Sequence, residues 1–150
     1  MAKEVFPEFD YVLLDCPPAL GLATLNGLSA ANGFLVPTIP DHVSTIGVSQ
    51  LVGRIATHSQ SLRRSIRPYG TVVNRFKQGT RLHETVLAEM RSKPEFQPVW
   101  DTIIPEPGMS GEAVKSNGVL PTLKGRYGGQ SHDYFTAIGR LTDEFIRRIG

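Results

Sequence analysis

Asp15 interrupts the run Tyr11-Val12-Leu13-Leu14-Asp15-Cys16, in which the other five residues are apolar. Four apolar residues closing on an aspartate form a pattern in which the carboxylate holds Mg²⁺, usually through water, at the phosphates of a bound nucleotide. The same spacing also describes an aspartate that caps a loop or a helix start. Cys16-Pro17-Pro18 and then Gly21 come directly after it. Cys16, the single cysteine, reads either as a reactive thiol or as a small residue packed beside a strand. Asn74 carries an amide, donor and acceptor together, which suits reading a base edge and equally suits a turn after a strand. Arg63, Arg64 and Arg67 lie before the segment Tyr69–Phe76, and Arg75, Lys77 and Arg81 lie in or after its end. Joined in one patch they would contact phosphates; apart they are a solvated surface. No aromatic interleaving or groove-reading motif accompanies them. The four histidines fall in no ligand or triad spacing and read as surface residues.

The elements that must position these residues alternate in type. Phe9 to Asp15 reads as a strand, and its nearly continuous apolar run suits burial on both faces, as in a parallel sheet under helices. Leu20 to Ala31 reads as a short helix, and Phe34 to Thr38 as a second strand. Ser44 is placed to cap a long helix reaching about Leu62, with Ile46, Leu51 and Ile55 among its apolar positions. Tyr69–Phe76 gives a third strand. Thr80–Lys93 gives a helix with Leu82, Val86 and Met90 spaced at four, and Val99–Pro105 gives a fourth strand. A short helix spans about Gly111 to Ser116. A glycine-rich loop runs from Lys124 to Ser131. His132–Ile149 reads as a final amphipathic helix on Phe135, Ile138, Leu141, Phe145 and Ile149. This alternation predicts an α/β protein, a three-layer α/β/α sandwich on a doubly wound, mostly parallel sheet. Ligands of such sheets bind outside the carboxyl ends of the strands. Those ends here are Asp15-Cys16-Pro17-Pro18, Pro37-Thr38 with Pro40-Asp41, Asn74-Arg75, and Pro105-Glu106-Pro107-Gly108.

Composition agrees with one domain of 150 residues. The apolar share is 40%, the charged share 20%, and the net charge +2, so bulk charge does not by itself argue for nucleic acid. A lone cysteine excludes an intrachain disulfide. With no apolar signal core at the N-terminus and no run of membrane-span length, the expected location is the cytoplasm.

The segment FDYVLLDCPPALGLATLNGLSAANGFLVPTIPDHVSTIGVSQLVGRI closely resembles the Walker B strand and the stretch downstream of it in ParA/Soj-type chromosome and plasmid partitioning ATPases. These belong to the P-loop group that includes MinD and the nitrogenase iron protein. The resemblance continues through TVVNRFKQGTRLHETVLAEMR, VWDTIIPEPGMSGEA and the last helix, covering nearly the whole chain. It implies that Asp15 is the Walker B carboxylate and Mg²⁺ ligand. Cys16, Pro17, Pro18 and Gly21 would be switch II, which senses the γ-phosphate. Asn74 would read adenine, with Pro105 and Glu106 lining the nucleotide pocket. Glu106-Pro107-Gly108 departs from the polar residue the family often carries after that proline. Arg81 falls near a basic residue used for non-specific DNA, and Arg63 and Arg64 extend that assignment. ATP, Mg²⁺, a homodimer, a ParB-like centromere-binding partner and non-specific DNA are the implied cofactors and partners.

The 150 residues contain neither Gly-Lys-Thr nor Gly-Lys-Ser, and the family's switch I aspartate lies upstream of Walker B. The chain therefore reads as the C-terminal half of such an ATPase domain. Without the P-loop amides and lysine, phosphoryl transfer loses most of its positioning and electrostatic stabilisation, so the chain alone is expected to be inactive. Two other readings are a non-catalytic module of that family, retained for dimerisation, partner binding or DNA binding, and a plain truncation product with no separate role.

Overall fold

The computed structural model describes residues 8–17, 20–106 and 132–150. The elements, in chain order, are α1 (Leu22–Ala30), β1 (Gly33–Thr38), α2 (His42–Ser61), β2 (Arg67–Phe76), α3 (Arg81–Ser92), a 3₁₀ turn (Pro94–Phe96), β3 (Val99–Pro105) and α4 (His132–Ile149). The strands form one parallel sheet in the order β1-β2-β3.

Side chains alternate across a strand, so neighbouring residues serve opposite faces. On one face Val36 and Val73 pack with Val48 of α2, with Val86, Leu87 and Met90 of α3, and with Phe96. On the other, Val72, Trp100 and Ile104 pack under Ala137, Ile138, Leu141, Phe145 and Ile149 of α4. Leu28 of α1 joins Ile55 and Ile66 in a third cluster. Helices thus cover both faces, the three-layer arrangement that the alternating elements imply.

The expected first strand does not form. Phe9 to Asp15 is exposed and takes part in no strand, and Leu13 is 78% exposed. Strand character needs a neighbour to accept its N–H and C=O groups, and no strand among the described residues lies beside this segment. It rests instead on helices. Tyr11 meets the edge of the Phe145 ring with centroids 5.2 Å apart, and Leu14 and Cys16 approach Gly27 of α1. The described sheet has three strands where the apolar runs predict four. The short helix at Gly111–Ser116 and the glycine-rich loop at 124–131 lie outside the described residues.

Three smaller corrections have clear causes. α2 is capped by Asp41, not Ser44: the Asp41 carboxylate accepts the Ser44 N–H at 2.7 Å and the Ser44 hydroxyl at 2.9 Å. Ile46 and Leu82, expected among the apolar positions of their helices, are exposed: Ile46 lies two residues from the buried Val48, about 200° around α2 and so on its opposite side, and Leu82 is in the first turn of α3. Two histidines are engaged rather than free on the surface. His58 Nε2 lies 3.0 Å from the Ser29 hydroxyl, and His83 Nδ1 accepts the Lys77 N–H at 3.0 Å.

The strand pairing is interrupted where one strand carries extra residues. Between Thr71↔Val99 and Val73↔Ile103, β3 advances four residues while β2 advances two. The N–H groups of Asp101 and Thr102 there are taken by the Glu144 carboxylate of α4 at 3.0 and 2.8 Å. Between Val73↔Ile103 and Phe76↔Pro105, β2 has one residue more than β3. Arg75 lies in this interval with a left-handed φ of 53°, as a bulge residue does. A further shift places Gly70, at φ 115°, against the Pro98 carbonyl, where a Cβ would collide.

Candidate functional site

The carboxyl ends of β2 and β3 bring four of the sequence-derived residues together. Asn74 Oδ1 accepts the N–H of Arg75 at 2.9 Å, a local bond that supports the left-handed turn of Arg75. The Arg75 guanidinium pairs with Glu106 at 3.0 Å. The Glu106 N–H donates to the Phe76 carbonyl at 2.9 Å, beside the Phe76↔Pro105 register pair. Asn74, Pro105 and Glu106 therefore stand on one rim, fixed mostly by backbone. The Arg75–Glu106 pair is well exposed and contributes at most about 1 kcal/mol.

The next layer of this rim escapes sequence reasoning. His83, in the first turn of α3, reaches back to the Lys77 N–H, and its ring lies 5.9 Å from that of Phe76. Lys77 to Thr80 is closed by a Thr80 N–H to Lys77 carbonyl bond. The signal in the sequence is slight: a histidine shortly after a strand end, with no periodicity to mark it. Asp41, at the neighbouring strand end, has its carboxyl held below the ordinary value. The Ser44 N–H does most of this; burial opposes it, and the Ser44 hydroxyl, the Val43 N–H and the nearby His83 add to it.

Asp15 has no bond to this rim among the described residues. It is exposed, and among the described residues it makes no hydrogen bond or ion pair. The chain around it is steered by α1. Gly21 is the N-cap of α1, and the Thr24 hydroxyl reaches the Pro17 carbonyl at 3.5 Å. Gly27 leaves room for Cys16, since a Cβ there would stand 3.3 Å from its sulfur. Cys16 is thus an exposed thiol lying along a helix. Pro18 is outside the described residues. No group of three His, Cys, Asp or Glu side chains that could hold a metal occurs among the described residues. Asp15 by itself offers Mg²⁺ one carboxylate, which is too few ligands to retain the ion. No chemical step through Mg²⁺ arises from these residues alone.

The arginines do not form one patch. Arg63 and Arg64 precede β2 and Arg81 comes after it, so the length of the strand separates them, roughly 30 Å at about 3.3 Å per residue. Arg63 is exposed and left-handed, with φ 50°. It occupies the residue after the C-cap of α2: its N–H bonds the Gln60 carbonyl, and the Arg64 N–H bonds that of Ser59. That pair of bonds is a Schellman closure. Arg64 donates to the Ser29 and Ala31 carbonyls at the end of α1, so its charge is already engaged by a helix C-terminus. Arg81 is exposed at the first position of α3.

A shallow cavity of about 260 Å³ is lined by Leu20, Leu25, Arg54, Thr57, His58 and Ser61, none of them a sequence-derived site residue. No helix of the described residues is long and apolar enough to cross a membrane.

Similarity to known proteins covers the same residues. A family model described as an AAA domain matches residues 1–67, which include Asp15 and the Cys16–Gly21 turn. The chromosome partitioning protein ParA of Myxococcus xanthus is 35% identical over 98 residues, covering 65% of this chain and 34% of that protein. The sporulation initiation inhibitor protein Soj of Bacillus subtilis is 30% identical over 103 residues, covering 69% and 40%. The chromosome-partitioning ATPase Soj of Thermus thermophilus is 30% identical over 145 residues, covering 94% and 54%. The chain spans between about a third and just over half of the length of these relatives. With its parallel sheet under helices and this similarity across most of its length, the chain belongs to the ParA/Soj-type family of partitioning ATPases.

Proposed function

We propose that this chain works in ATP-dependent DNA segregation and supplies the switch II and base-reading side of a nucleotide site. Asn74 reads the adenine edge, Pro105 and Glu106 line the base pocket, and Asp15 serves Mg²⁺ once phosphate-binding groups are placed beside it. ATP would drive dimerisation and non-specific DNA binding in the cytoplasm, and a ParB-like partner would trigger release. The observation that carries this reading is the rim at the ends of β2 and β3, where Asn74, Pro105 and Glu106 are held together by backbone bonds.

The isolation of Asp15 supports a second statement: the 150 residues do not turn over ATP unaided. They hold no Gly-Lys-Ser/Thr loop, and the Asp15 carboxylate has no partner among the described residues. Phosphate release measured on the purified chain with ATP and Mg²⁺ should stay at background. Micromolar ATP affinity with measurable hydrolysis would refute this. For DNA, Arg81→Glu should weaken binding to random-sequence duplex and lower the slope of log affinity against log salt by about one for each phosphate no longer neutralised. An unchanged slope would remove Arg81 from the DNA surface.

A further inference from the structure

We infer that His83 is a positioning residue whose neutral imidazole latches the β2–α3 turn, and with it the Asn74–Glu106 rim. The inference rests on the reading of that rim as the base-recognising surface. Its geometric basis is a short chain of contacts. His83 Nδ1 accepts the N–H of Lys77, the first residue beyond β2, at 3.0 Å. The His83 ring lies against Phe76, the last residue of β2. Phe76 in turn gives its carbonyl to the Glu106 N–H, and Arg75, one residue back, holds Glu106 and is bonded by Asn74. One imidazole thus bridges the start of α3 to the strand end that carries the expected base reader.

The bond defines the tautomer: Nδ1 accepts, so Nε2 carries the proton. Protonation places a second N–H on Nδ1, aimed at the Lys77 donor, and two donors cannot share that contact. Charges of both signs face the ring. The Asp41 carboxylate, whose own titration His83 helps to lower, stands on the loop before α2. The N-terminal end of α3, where His83 occupies the third helical position, carries a partial positive charge. Arg81 and Glu84 stand on the same helix turn, and Lys77 on the turn itself, with opposing signs. The acceptor that the Lys77 N–H meets is Nδ1, so the latch depends on the neutral ring.

The test uses the whole ¹⁵N-labelled chain without ATP, so its outcomes bear on His83 whether or not Asn74 reads a base. The Lys77 backbone amide and the Asn74 side-chain NH₂ are followed between pH 8 and pH 5. In the parent chain, hydrogen-exchange protection of Lys77, corrected for intrinsic rate, should fall at least tenfold across the imidazole titration. The Asn74 resonance should move with the same midpoint. His83→Asn, whose side-chain oxygen can stand near the place of Nδ1 and does not titrate, should keep both signals flat with pH. His83→Ala should leave Lys77 unprotected throughout. Equal Lys77 protection in the parent and the alanine variant would overturn the latch. A titrating Lys77 amide with an Asn74 resonance that ignores pH would overturn the positioning of the rim.

Discussion

Replacing Glu144 with glutamine should destabilise the chain at neutral pH by about 3 kcal/mol, and the loss should shrink in acid. Glu144 is only 2% exposed. Burial, the largest influence on its carboxyl, pushes the titration up. The Thr102 hydroxyl, the Asp101 and Thr102 N–H groups and Arg148 more than offset that and hold it at about 2, against an ordinary 4.5. Arg148 donates from Nε at 2.7 Å, bridges to Asp101 at 3.0 Å, and lies 5.7 Å above the Trp100 ring. A folded value depressed below the unfolded one means stability that is complete above about 4.5 and is lost as pH falls toward 2. The fall from 4.5 to about 2 corresponds to about 3 kcal/mol at pH 7, and linkage leaves about 1 kcal/mol of it at pH 3. Trp100 is the only tryptophan and packs directly beneath this network, so its fluorescence reports urea unfolding of the parent and of Glu144→Gln. A difference below about 1 kcal/mol at pH 7, or one equal at pH 7 and pH 3, would refute the assignment of this carboxylate as a charged brace for the β3 bulge.

Arg63→Gly should stabilise the chain by about 1 kcal/mol in the same assay, because glycine occupies the left-handed closure of α2 without Cβ strain. The substitution also removes a charge without harming the fold, so a loss of DNA affinity on top of raised stability would assign the effect to the charge. Gly70→Ala should cost about 3 kcal/mol or more, since it combines a φ of 115° with a collision against the Pro98 carbonyl; a cost under about 1 kcal/mol would show that the β2–β3 contact there is loose. Asp15→Asn should leave the unfolding free energy within about 0.5 kcal/mol of the parent, as an exposed carboxylate without a partner among the described residues contributes little to the fold; a larger loss would reveal a structural role for Asp15.

Much of the architecture is legible in sequence because periodicity carries it. Val86 and Met90 on α3, and Ile138, Leu141, Phe145 and Ile149 on α4, take the core-facing positions their spacing implies. The apolar runs at Gly33–Thr38, Arg67–Phe76 and Val99–Pro105 become strands because each finds a neighbour. Phe9–Asp15 has a similar composition and finds none among the described residues, and composition cannot reveal that difference. The bulges are hidden for a related reason. A bulge is a mismatch between two strands, so nothing in β2 alone announces that Arg75 is left-handed, and nothing in α4 alone marks Glu144 as the acceptor for β3. Arg64 reads as a free cation because the carbonyls it caps belong to α1, more than thirty residues earlier.

The two parts of the expected nucleotide site therefore differ in what builds them. Asn74, Pro105 and Glu106 are placed by bulge geometry and backbone bonds within β2 and β3, so the described fold suffices to form them. Asp15 belongs to an exposed apolar segment, and its place depends on whatever comes to cover Val12, Leu13 and Leu14. This asymmetry fixes how tightly the chain could hold ATP. An amide pairing with a base edge makes two hydrogen bonds, with a net gain of about 1–3 kcal/mol together. Even a complex with a Kd of about 1 mM needs about 4.1 kcal/mol. Base recognition without the phosphate-binding groups thus falls short of millimolar affinity, and tighter binding requires a surface that meets Asp15 and the phosphates at once.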